Sequence, residues 1–113
     1  MKKCLGLFLA VSTMGVSAFA TTVDYSCGGD LEVHVISRTE ISANATEWGA
    51  DYVAGKTESN SESVSFYPKD PANADDLMPS KVAISRGMLE GKSAGYAVFA
   101  GGESSGTYHC TKE

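Results

Sequence analysis

Few side chains in this sequence are spaced for chemistry, and each grouping has a plain structural alternative. Gly102-Glu103-Ser104-Ser105-Gly106 fits the G-x-S-x-G pattern of a hydrolase nucleophile. That chemistry needs a strand before the serine and a helix after it, so that the hydroxyl stands over an oxyanion hole. Only seven residues follow Gly106, Cys110 among them, so the segment reads as a glycine-serine turn. The two histidines, His34 and His109, stand in no spacing that sets two metal ligands on one face. They read as sheet-surface residues unless the fold brings the end strands together. Asp70, Asn73, Asp75 and Asp76 offer oxygen ligands of the kind Ca²⁺ takes, but not in the alternating pattern of a calcium loop with its distal glutamate. They read as a solvated turn, and Asp70, Asp75 and Asp76 are candidate partner-binding residues on a long loop. Trp48, between Glu47 and Gly49, is expected in the core, with an exposed anchor for a partner as the alternative. No catalytic residue, metal or cofactor is assigned, and the chain reads as a non-enzyme.

The elements that must position these residues are strands. Leu31, Val33 and Val35 alternate with Glu32 and His34, and Val23, Tyr25 and Cys27 share a face in the preceding stretch. Gly28-Gly29-Asp30 between them makes a hairpin turn. Residues 40–45 and 47–54 are weaker strand candidates, with a short helical turn over 43–52 as the alternative. Residues 55–61 read as a loop. Ser63, Ser65 and Tyr67 alternate with Val64 and Phe66 up to Pro68. Residues 68–79 hold three prolines and three aspartates and form the principal loop. Val82 and Ile84, Tyr96 and Val98, then Thr107 to His109 mark three further strands, with Gly91 and Gly101-Gly102 at turns. The expected fold is all-β, a small antiparallel barrel or sandwich of about seven or eight strands.

Compartment follows from the start of the chain. Lys2 and Lys3 precede an apolar run that ends in Ala18-Phe19-Ala20, the anatomy of a secretory signal peptide. Residues 1–20 are expected to be removed and residues 21–113 to form one domain. The apolar run is shorter than the roughly 20 residues of a spanning helix, and no later stretch approaches that length; no membrane span is expected. Cys4 leaves with the signal, so Cys27 and Cys110 remain and form one disulfide in an oxidising, periplasmic or secreted setting. That bridge requires the first and last strands to lie side by side. Loss of Lys2 and Lys3 takes the net charge from −5 to −7. Such acidity excludes a phosphate-binding role in nucleic-acid recognition and suits solubility or a basic partner. Asn44-Ala45-Thr46 is a formal glycosylation sequon, idle if the lysine-led signal is bacterial.

Val23-Asp24-Tyr25-Ser26-Cys27, followed by Leu31-Glu32-Val33-His34-Val35, resembles the opening of the bacterial C-type lysozyme inhibitors, the MliC/PliC group. Ser93 to Phe99 is similar to a late strand of that family, and Cys110 stands where its closing cysteine falls. The resemblance covers roughly a third of residues 21–113. It implies an eight-stranded envelope barrel bridged from the Y-x-C cysteine to the C-terminal end. The family's inhibitory S-G-x-x-Y motif has no counterpart in residues 88–92; Ser85-Arg86-Gly87 lacks the spacing and the tyrosine. Its lysine-glycine turn is reduced to Gly101-Gly102, so no functional residue carries over. The expectation is an exported binding protein with a protein partner, a basic lysozyme-like hydrolase being the first candidate. The alternative is a non-enzymatic envelope, adhesion or stress-related component.

Overall fold

The computed structural model describes residues 22–56, 59–73 and 76–113; the expected signal segment and Asp75 lie outside them. Eight strands form an antiparallel meander closed into a barrel: β1 (Val23–Ser26), β2 (Glu32–Ser37), β3 (Glu40–Asn44), β4 (Gly49–Ala54), β5 (Ser63–Pro68), β6 (Lys81–Ser85), β7 (Ala94–Ala100) and β8 (Gly106–Lys112). A barrel rather than a sandwich is therefore the solution. The alternation read in β1 and β2 holds: Tyr25, Val33 and Val35 are fully buried while Asp24 and His34 face outward in cross-strand register. The turn between these strands is closed by the Cys27 and Leu31 amides, which donate to Leu31 and Gly28 carbonyls at 2.9 Å. It runs through Gly28 and Gly29 at φ of 110° and 55°, conformations a side chain disfavours.

Two local readings are corrected. Residues 43–52 form no helical turn. Ile41 pairs with Tyr52 and Ala43 with Ala50 across a hairpin, because alternate residues at 41, 43 and 52 bury together, and the Ala45 amide bonds the Trp48 carbonyl to close its turn. Strand β5 departs from strict alternation, since Ser65 is buried along with Val64 and Phe66. The loop after β4 lies over it: the Gly55 amide donates to the Ser65 carbonyl at 2.9 Å, and the Ser65 amide to Ser59 Oγ at 3.4 Å.

A single helical turn, α1 (Arg86–Leu89), enters where no periodic stripe marked it. It buries Met88 and Leu89 against one end of the barrel. The Tyr25 hydroxyl reaches it from inside, donating to the Lys92 carbonyl at 2.6 Å and lying 3.2 Å from that of Met88.

The ring closes where β1 meets β8 through Tyr25↔Lys112 and Ser26↔Thr111. Beside this short seam Cys27 and Cys110 are bridged, with Cα atoms 4.0 Å apart and a sequence separation of 83. Both cysteines are buried. Replacing both by alanine is expected to lower the unfolding free energy by about 4 kcal/mol, measured by urea titration of the two proteins. A loss below about 1 kcal/mol would show that the seam closes without help.

Candidate functional site

Strand direction sorts the connections into two ends. Residues 27–31, 45–48, 69–73 with 76–80, and 101–105 meet at the upper end, and residues 38–39, 55–56 with 59–62, and 86–93 at the lower. The four upper connections are tied to one another. Both the amide and the hydroxyl of Thr46 donate to the Asp30 carboxylate. Trp48 Nε1–H donates to Ser104 Oγ at 3.2 Å, and the Glu103 amide to the Leu77 carbonyl at 2.9 Å. Gly102, at φ 73°, packs so closely that a Cβ there would come within 2.6 Å of the Leu77 carbonyl oxygen. Glycine is the residue that fits.

Trp48 lies in the core, as expected, and not as the exposed anchor that was the alternative. It is 6 % exposed and meets Phe99 edge-on at 6.2 Å, while Phe99 meets Tyr108 likewise at 5.6 Å. The pull of apolar burial exceeds that of its acidic flanks. The G-x-S-x-G serine serves the same cluster, for Ser104 Oγ holds the indole, its carbonyl accepts the Tyr108 hydroxyl at 2.8 Å, and a strand follows it.

Asp70 and Asp76 are exposed in the long loop, and among the described sequence candidates Asp70 alone borders a depression. Strand β4 pairs with β5 only over Tyr52–Ala54, through Tyr52↔Pro68, Val53↔Tyr67 and Ala54↔Phe66. Above Tyr52, residues 49–51 continue along β3 while the other chain leaves the sheet. The Lys69 amide still donates to the Asp51 carbonyl at 2.9 Å, and the Tyr52 hydroxyl holds the returning loop through the Pro79 carbonyl at 2.9 Å. Between these ties lies an open depression of about 260 Å³, lined by Gly49, Ala50, Asp51, Pro68, Lys69, Asp70 and Met78. Lys69 Nζ sits 3.1 Å from Glu40 Oε2. Sequence reading missed Asp51, Ala50 and Met78 because the divergence of two paired strands leaves no local signal.

Charge is sorted with the ends. Among the described residues, the upper connections carry Asp30, Glu47, Asp70, Asp76 and Glu103 against Lys69 alone. The lower connections carry Arg38, Lys56, Arg86 and Lys92 with Glu62 and Glu90. Glu47 bonds the Glu103 carboxyl and, by that bond and its charge, raises Glu103 above the usual carboxylate range; Asp30 adds to the effect.

His34 forms a separate polar group on the outer wall. Its Nδ1 is 2.7 Å from Asp24 Oδ1, and its Nε2 is 3.1 Å from Asn44 Oδ1 and 3.2 Å from Glu32 Oε1. His109 stands opposite Tyr96 on another strand pair, so the histidines are not brought together. Among the described residues no group of three His, Cys, Asp or Glu is arranged to hold a metal ion, and no helix is long and apolar enough to cross a membrane. Burial works against the imidazolium, but the bonds to Asp24 and Asn44 and the charges of Asp24 and Glu32 outweigh it and raise the His34 pKa above 6.5.

No family model matches this sequence, and neither a curated protein nor a solved structure matches it significantly.

Two outcomes follow from these placements. A folded pKa raised above the unfolded value means that the His34 contribution is complete below about pH 6.5 and is lost as pH rises through the folded value. Thermal melts between pH 5 and 9 should show this decline, and His34→Gln should flatten it. Trp48→Ala should cost about 3–5 kcal/mol in urea unfolding; a loss under about 1 kcal/mol would restore Trp48 as a surface residue.

Proposed function

We propose that this chain is an exported, non-enzymatic binding protein whose partner is a basic protein, with a lysozyme-like hydrolase as the first candidate. The observation that carries the reading is the upper end of the barrel, where four connections braced to one another gather, among the described residues, five carboxylates and one lysine, with Lys81 next at the start of β6. A field of one sign on one end orients an oppositely charged partner during approach and raises the association rate. Bracing limits the ordering that binding would otherwise require. A buried disulfide closing the barrel suits an oxidising compartment outside the cytoplasm. The resemblance to C-type lysozyme inhibitors supports the choice of first candidate.

Inhibition by the mechanism of that family has no residue to perform it. Ser85, the serine of the nearby Ser85-Arg86-Gly87, is buried and accepts the Tyr96 amide at 3.1 Å. It is not a side chain that enters an enzyme cleft. A different surface must therefore make the contact, and this same observation favours the second reading, an envelope component with a partner other than lysozyme.

Residues 21–113, purified with the disulfide formed, should inhibit cell-wall lysis by a C-type lysozyme. The effect should weaken as salt rises from about 0.01 to 0.15 M, because the screening length falls from about 30 to 8 Å. Absence of inhibition and of binding at high protein excess and low salt would discard lysozyme and leave the envelope reading.

A further inference from the structure

We infer that the depression between β4 and β5 receives one arginine side chain of the basic partner. The inference rests on the reading of a basic protein partner and names the contact it makes.

The depression is sized for a side chain. At about 260 Å³ and open on one side, it falls below the roughly 300–1,000 Å³ of sites that enclose drug-sized ligands. Its chemistry is divided in the manner of an arginine. Ala50, Pro68 and Met78 among its lining residues offer aliphatic surface to a methylene stem, and Asp51 and Asp70, both exposed, are the acidic residues of the lining. Lys69 also lines it, but the Lys69 ammonium sits 3.1 Å from Glu40 Oε2, which draws that positive charge toward a carboxylate on another strand. Gly49 adds no side chain to narrow the opening.

Two features favour guanidinium over ammonium and a protein over a free molecule. A planar fork with five donors can address two carboxylates at once, whereas a lysine ammonium acts as a point charge. A shallow site for one side chain holds a small molecule only weakly, yet it gains weight at an interface where surrounding contacts exclude water. The walls need no rearrangement, since the Lys69 amide to Asp51 carbonyl bond and the Tyr52 hydroxyl to Pro79 carbonyl bond hold both sides. Leu77, 38 % exposed and next to Met78 in the chain, supplies apolar surface in the same loop.

The test has two arms on the oxidised chain. In the first, a blocked Gly-Arg-Gly peptide and its citrulline twin, of equal shape and no charge, are titrated while backbone amide resonances are followed. The arginine peptide should shift residues 49–51, 69 and 70, and the citrulline peptide should not. Equal responses to both peptides, or shifts confined to other residues, would overturn the assignment. In the second arm, affinity for C-type lysozyme is measured for Asp51→Asn/Asp70→Asn and for Glu62→Gln/Glu90→Gln, which removes the same charge from the lower end. The first pair should weaken binding about tenfold and the second less than twofold. Lysozyme binding that both pairs leave alike would overturn the arginine site while the binding reading stands. An arginine response at the depression without lysozyme binding supports the site and removes lysozyme as the partner.

Discussion

The structure depends on the closure of a ring at its shortest seam. Neighbouring strands elsewhere pair over three to six residues, whereas β1 and β8 share two register pairs. Open at that place, the meander would present two sheet edges, with unpaired backbone groups that invite other strands. The Cys27–Cys110 bridge stands beside the two pairs and removes chain entropy from the unfolded state over a loop of more than eighty residues. For a domain of this size, whose core alone gives a thin margin, that crosslink supports every other contact.

With the wall closed, two buried tyrosines use their hydroxyls to fasten the two ends. Tyr25 reaches the lower connection at Lys92 and Met88, and Tyr52 reaches the upper one at Pro79. A ring in the core contributes apolar burial, and its hydroxyl must find a partner there. Each tyrosine finds a carbonyl of an irregular segment, so packing in the barrel and the position of its loops are one constraint. The upper loop can therefore hold Asp70 and Met78 beside β4 although β5 has already left the sheet.

Polarity of charge follows from the same topology. In an antiparallel meander successive turns alternate between ends, so acidic residues scattered at positions 30, 47, 70, 76 and 103 converge on one end. Basic residues at 38, 56, 86 and 92 gather toward the other. Nothing in their linear order distinguishes this from a uniform acidic surface.

The amino-acid sequence by itself determined the class of fold, the strand pattern and the bridge, because side-chain alternation and cysteine count are local or compositional quantities. Val33 and Val35 point inward for the reason that His34 points outward, and period two is visible in a single strand. Trp48 shows the limit of such reading: its burial was legible, but Phe99 and Ser104, which pack against and bond it, lie some fifty residues away. Helix α1 was illegible, being one turn that exists because Tyr25 and the barrel mouth receive it. Barrel rather than sandwich, the sorting of charge, and the depression were decided by the tertiary structure alone. Each depends on which strands pair, how far they pair and where they part, and those are relations between distant segments that no stretch of chain contains.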